Sequence, residues 1–297
     1  MEDIRLAVGL IGFVSAAVFA GMYRLLRKRS KPFLDFIAAF IVVLIVVYVY
    51  TVWGQLWIVK WIPLPSVIIL ANWFPPLLAA LAAVVWWRLH PASLARRLPI
   101  MLALIVAAAY SLTYFIPSTP PECGDRWASP VRGTVWPICL QTTPHTCSAA
   151  AAATILYTLG VESSEQEMAE LCLTQSGTTW LGLYHGLSTQ LMGTRYRVEF
   201  FEGNLQELEK AATQAPVLLC CQLNPAVAEI IPEYVRDGGW IPGMAHSVVY
   251  FGNLQGLHVI GDPSRGYEGW SEQDLNMLWT GTGLRIIAVK RKDGAAP

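Results

Sequence analysis

Gln141-Thr142-Thr143-Pro144-His145-Thr146-Cys147-Ser148-Ala149-Ala150-Ala151-Ala152-Ala153-Thr154 is the stretch whose reading decides the fold of the second half of this 297-residue chain. Thr142-Thr143-Pro144 is turn chemistry. The Ala-rich run that follows, closed by Gly160, predicts a helix over 147–159. Cys147 then stands in the first turn. Unpaired N–H groups and a partial positive charge are available there to favour a thiolate and to face an oxyanion. Ser148, Ala149 and Ala150 are small and let backbone and substrate come close. Gln141, six residues before the cysteine, precedes the turn, so its amide N–H can fold back as a second oxyanion donor.

Working outward, short elements alternate. Ser164 and Glu167 predict a capping box on a helix reaching Leu173. A helix is expected over 180–192, after Thr178 and Thr179 and before Gly193. A strand is expected over 196–201 and an amphipathic helix over 205–213. Strand-like runs follow at 217–223, 246–251, 257–260 and 284–290, with Ser271 capping a short helix through Trp279. Helices come first and strands later, which predicts an α+β class and not a doubly wound parallel sheet. There is no internal repeat and no low-complexity tract.

A cysteine nucleophile needs an environment that favours thiolate, a histidine partner and oxyanion donors. The histidines to choose from are His145, His185, His246 and His258, with His90 in the other half of the chain. His246 opens a strand in Gly243-Met244-Ala245-His246-Ser247-Val248-Val249-Tyr250, where Gly and Ala leave room beside the imidazole. Asp262 ends the next strand in Gly261-Asp262-Pro263. Adjacent strands would put the two side by side, with Asp262 holding the imidazole in the useful tautomer.

At this point the sequence resembles a known family. Gln141…Cys147-Ser148-Ala149-Ala150, Gly160-Val161, Ser163…Glu167 and Gly177-Thr178 look like the front of a peptidase C39 domain, with its Q-x5-C-[GSA]-x-A spacing. Pro216-Val217-Leu218-Leu219, Ala245-His246-Ser247-Val248-Val249 and Asp262-Pro263 follow in the family's order. The resemblance covers about 135–290 and implies a papain-like cysteine peptidase domain. By it Cys147 is the nucleophile, His246 the general base, Asp262 the orienting residue and Gln141 the oxyanion donor. Ser148 stands where the family usually has Gly. Family members are usually fused to an ATP-driven export transporter and cleave leader peptides after a Gly-Gly pair on the cytoplasmic side. This sequence holds no Gly-x4-Gly-Lys-[Ser/Thr] phosphate loop.

The remaining cysteines and histidines fall into place around that site. Cys123 and Cys139 flank the entry to the domain and either pair as a disulfide or stay as two thiols. Cys172, Cys220 and Cys221 read as core. His145 reads as an exposed loop residue and His185 as a helix-face residue, while His258 shares a strand face with Asp262 and is a candidate neighbour of the site. Neither Cys-x2-Cys nor His-x3-His spacing occurs, so no metal is called for, and no cofactor.

The first half is different text. The chain is 54% hydrophobic and 14% charged, against roughly 25% charged in ordinary domains. Residues 1–118 carry ten Lys/Arg and three Asp/Glu, a formal +7, which the rest of the chain balances with −7. Neither half has the basic readout surface of a nucleic-acid binder. Apolar stretches at about 5–23, 33–57, 66–87 and 100–117 approach or exceed the about 20 residues that cross a bilayer. The first begins with Glu2 and Asp3 and has its basic cluster afterwards, the reverse of a secretory signal, so it reads as a retained helix. Pro75 and Pro76 beside Asn72 predict a kink in the third, with the freed backbone groups satisfied by neighbours. Arg24, Arg27, Lys28, Arg29 and Lys31 fill the first loop, Lys60 stands by itself in the second, and Arg88, Arg96 and Arg97 fill the third. Basic loops stay inside, so both termini are expected outside the cytoplasm.

The sequence thus predicts a four-helix all-α transmembrane region over 1–117, a linker over 118–134 marked by the Pro117-Ser118-Thr119-Pro120-Pro121 composition where the two meet, and a C39-like α+β domain over 135–297. The expected function is a membrane-anchored cysteine peptidase acting on extracytoplasmic peptides or proteins. A papain-like amidase or acyltransferase and an inactive peptide-binding module are the alternatives. Expected partners are the lipid bilayer and a peptide or protein substrate, with a separate export system as a candidate.

Overall fold

The computed structural model describes residues 2–113, 121–130, 134–236 and 240–289. The chain divides into two compact units. One holds Met1–Ile58 and Ser66–Ile116, the other Val59–Pro65 and Pro117–Pro297.

The first unit consists of helices α1 (Glu2–Leu26), α2 (Lys31–Thr51), α3 (Val67–Leu70), α4 (Phe74–Arg88) and α5 (Leu94–Thr113). Four segments are long and apolar enough to cross a membrane: Asp3–Leu26, Lys31–Thr51, Val67–Arg88 and Leu94–Leu112. Leu34 and Ile41 of α2 pack on Ala80 and Val84 of α4. Leu6, Phe13, Phe36, Val43, Leu102 and Ile105 point outward and are exposed. An apolar exterior of this kind suits lipid and not water.

The bounds depart from the sequence reading in three places. α2 stops at Thr51, and Gly54 takes φ +74° soon afterwards, a conformation that does not continue a helix. α5 begins at Leu94, so Arg96 and Arg97 lie in its first turns and not in a loop. The third span is broken outright between α3 and α4, not merely kinked. Pro75 and Pro76 occupy the first turn of α4, where a missing N–H costs least. Tyr48 Oη donates to Ala71 O (2.6 Å) and accepts from Trp73 N (3.0 Å). Asn72 Nδ2 donates to Ser111 O (2.9 Å). The neighbouring helices therefore satisfy the freed backbone groups.

In the second unit β1 (Arg126–Ala128) pairs antiparallel with β2 (Ile138–Leu140). β1 lies inside the stretch read as a linker, of which 118–120 and 131–133 are outside the described residues. Helices α6 (Cys147–Tyr157), α7 (Glu165–Leu171) and α8 (Trp180–Gln190) follow. Then come β3 (Tyr196–Glu202), α9 (Leu205–Ala212), β4 (Val217–Gln222), α10 (Pro225–Ile230), α11 (Glu233–Arg236), β5 (Ala245–Leu254), β6 (Leu257–Asp262), β7 (Gly266–Trp270), α12 (Glu272–Leu278) and β8 (Trp279–Ala288). The strands form one antiparallel sheet in the order β3-β8-β4-β5-β6-β7. The last strand begins at Trp279, five residues before the expected start, and Lys290 lies outside the described residues.

α6 is buried on all sides from Cys147 to Leu156. Its alanines are what allow sheet, α7 and α8 to crowd round one helix. Ser148 Oγ meets Ser247 Oγ of β5 at 2.8 Å, joining that helix to the sheet centre. Leu208, Tyr234, Trp240, Leu275 and Leu278 cover the other face through Leu219, Val248 and Tyr250. Val59–Pro65 belongs to this unit. Lys60 pairs with Glu202 (2.7 Å), and Pro65 O accepts from His185 Nδ1 (2.7 Å).

Candidate active site

Four local decisions bring the expected residues together. Thr143 and Thr146 tie the turn before α6 through their hydroxyls (3.0 Å), which sets Cys147 at the helix start. β5 begins at Ala245, so His246 is its second residue. β6 runs antiparallel to β5 and ends at Asp262. Gly261 lets β6 lie against β2, because a Cβ there would meet Ile138 Cδ1 at 2.6 Å. Gln141 N then donates to Pro263 O (2.8 Å), bringing the loop before the cysteine to the turn after the aspartate.

His246 Nε2 donates to Asp262 Oδ1 at 2.9 Å, and both side chains are buried. That leaves Nδ1 as the ring nitrogen available to Cys147, on whose thiol the imidazole acts. Burial by itself would push the Cys147 thiol up. The charge and hydrogen bond of His246, with Ser247 N–H and Ser148, outweigh it and hold the thiol below its ordinary value. Burial would likewise push His246 down, but Asp262 and Cys147 raise it. Burial opposes ionisation of Asp262 too, and His246 and Ser264 overcome it, so its pKa is lowered. All three shifts run in the direction that favours thiolate, imidazolium and carboxylate together, as expected of coupled groups.

Two residues here were not singled out in the sequence. Trp240 Nε1 donates to Asp262 Oδ2 (2.8 Å), and its ring lies 4.1 Å from the His246 ring. Ser264 gives N–H (2.8 Å) and Oγ–H (2.7 Å) to Asp262 Oδ1. The Asp-Pro-Ser order is an Asx-turn pattern from which Ser264 was readable; a single tryptophan in a loop offers no such cue. Gln141 Nε2 donates to Thr143 O (3.1 Å), which leaves its second hydrogen for another acceptor.

The other candidates are placed elsewhere. His258 Nδ1 meets Tyr250 Oη at 3.1 Å, within the core beneath the sheet. His185 is buried and holds Pro65. His145 is half-buried, contrary to an exposed loop position, with Nδ1 out of solvent and unpaired among the described residues. Cys123 and Cys139 are free thiols, as are the other four cysteines. Burial pushes Cys123 up to about 11, Cys139 up to about 12, and Cys172, Cys220 and Cys221 further up. No group of three metal-ligating side chains occurs among the described residues.

One test follows from these directions. Thiolate reacts with iodoacetamide and thiol does not. A lowered Cys147 pKa means that the thiolate persists as pH falls below the ordinary thiol value. Its alkylation rate should fall less steeply below pH 9 than that of an ordinary thiol, and mass spectrometry should find Cys147 labelled before any other cysteine. A rate that falls tenfold per pH unit over that range, or first labelling of Cys172 or Cys220, would contradict the ion-pair geometry.

The second unit is thus an α+β domain in which a helix that starts with a cysteine lies on an antiparallel sheet whose adjacent strands carry His246 and Asp262. Among solved structures the C-terminal half resembles peptidase C39 domains. The peptidase domain of Streptococcus ComA, described as a bifunctional ABC transporter involved in quorum sensing, matches at 19% identity over 51% of this chain and 96% of its own, with TM-score 0.40. A double-glycine-motif protease from an AMS/PCAT transporter, solved with its leader peptide, matches at 15% identity over 55% and 98%, with TM-score 0.39. A C39-like peptidase from Bacillus anthracis matches at 16% identity over 50% and 90%, with TM-score 0.37. No family model matches the chain, and no curated protein does. Likenesses of this size assign neither activity nor substrate.

Proposed function

We propose that this chain is a membrane-anchored cysteine peptidase that hydrolyses peptide bonds of extracytoplasmic peptides or proteins. The observation that carries the reading is the buried series from Cys147 through His246 to Asp262, with the thiol pKa lowered and the imidazole pKa raised. The Cys147 thiolate attacks the scissile carbonyl carbon and forms a tetrahedral oxyanion. The N-terminal amides of α6 and the Gln141 side-chain amide face that charge. His246 delivers its Nδ1 proton to the leaving amine and then takes one from the water that releases the acyl group. Asp262 stays ionised and keeps the ring oriented. The deciding experiment is to identify the polypeptide that accumulates uncleaved when Cys147 is replaced by Ala. If the wild-type chain and the Cys147→Ala variant leave the same peptides intact, the peptidase reading is lost.

The location rests on charge. Arg27, Lys28 and Arg29 of the first connection, with Arg88, Arg96 and Arg97 on the helix ends that flank the third, belong inside, a distribution that favours a domain outside. Protease added to intact spheroplasts is expected to digest residues 119–297. Full protection would place the domain in the cytoplasm.

A further inference from the structure

Glu165, the first residue of α7, is a carboxylate with no exposure to solvent. A buried carboxylate is costly unless hydrogen bonds replace its water. Both replacements here come from one residue. Oε1 accepts from Thr142 N (2.8 Å) and Oε2 accepts from Thr142 Oγ1 (2.8 Å). The same hydroxyl accepts from Gly124 N at 2.8 Å. Gly124 comes so close that a Cβ there would lie 3.0 Å from Thr142 Cγ2. Cys123 N in turn donates to Gln166 Oε1 of α7 at 2.8 Å. Thr142 is thus gripped from two sides, by α7 and by the entry segment.

Thr142 has no chemistry of its own at the site, but it directly follows Gln141. Gln141 is fixed on its other side by its N–H on Pro263 O. We propose that Glu165 is a positioning residue of the oxyanion site: through Thr142 it fixes the loop backbone that aims the Gln141 amide. This rests on the reading of Cys147 as nucleophile and Gln141 as oxyanion donor. Misplacement of a catalytic group by about 1 Å can cost about 10²-fold, and the two Glu165 bonds hold Thr142 beside the ties that Gln141 and Thr143 make themselves.

The test uses the full chain in detergent with two small probes. p-Nitrophenyl acetate acylates the thiolate through a tetrahedral oxyanion and expels p-nitrophenolate, and water later releases acetate. Iodoacetamide alkylates the same thiolate at a saturated carbon, expelling iodide with no oxyanion. Glu165→Ala and Thr142→Val should each slow the p-nitrophenolate burst by about 10- to 100-fold and leave the alkylation rate within about twofold. Glu165→Gln, which keeps the length and an acceptor for Thr142 N–H, should recover part of the loss. In a Gln141→Ala background neither Glu165→Ala nor Thr142→Val should slow acylation further, because the group they aim is gone. Equal loss in both backgrounds, or equal slowing of both probes, makes Glu165 a general structural residue and overturns the proposal. A normal burst in both variants overturns it alone. A wild-type burst that does not depend on Cys147 overturns the nucleophile reading and this proposal with it.

Discussion

Cys147→Ala is expected to abolish acyl turnover while leaving the fold in place. The substitution removes one sulfur atom from the N-terminal turn of a helix whose following nine residues stay buried and whose link to β5, Ser148 to Ser247, is untouched. Among the described residues no other thiol beside His246 can take over. Burial keeps the Cys221 thiol, paired across the strands from His246, protonated far above the ordinary range. Removing the nucleophile of a hydrolytic triad costs on the order of 10⁶ in turnover. The check is single-turnover cleavage or acylation beside a thermal melt. Residual turnover within about tenfold of wild type, in a variant that melts normally, would mean that the chemistry does not pass through this thiol.

The second large effect separates two histidines that the sequence leaves as rivals. His246→Ala should cost nearly as much as Cys147→Ala, because it removes the proton carrier and the charge that lowers the thiol pKa in one step. The Cys147→Ala/His246→Ala double variant should be no worse than Cys147→Ala, since residues acting as one unit fail together. His258→Ala should behave in the opposite way. It leaves Tyr250 Oη buried without its 3.1 Å partner, a loss of about 1–3 kcal/mol in stability, while each folded molecule keeps its activity. The measurement is kcat for both variants on one substrate together with their melting temperatures. Activity lost in His258→Ala and kept in His246→Ala would reassign the base.

Both results bear on why this site is buried as deeply as it is. Three ionisable groups out of water are costly unless each is paired and hydrogen-bonded. Asp262 accepts from His246, Trp240 and Ser264. His246 is held between the carboxylate and the thiol under the Trp240 ring. The low local dielectric strengthens the ion pair that a nucleophilic thiolate needs.

The sequence by itself determined the parts of this protein that depend on near neighbours. Four long apolar helices follow from length and composition. α6 follows from an alanine run closed by Gly160, α9 from an amphipathic run and α12 from the cap at Ser271. Cys147 at a helix start and His246 at a strand start are legible for the same reason: each is defined by residues within one turn or one strand of itself. The tertiary structure decided what joins distant residues. It inserted β8 between β3 and β4, which no local pattern announces. It broke the third span, because Tyr48 from another helix can satisfy Ala71 and Trp73. It chose Nε2 of His246 for Asp262, brought Trp240 onto both, and used Glu165 to hold Thr142 from 23 residues away. Periodicity and capping are written in local spacing, whereas the pairing of buried polar groups is fixed only when packing excludes water and each must find a partner.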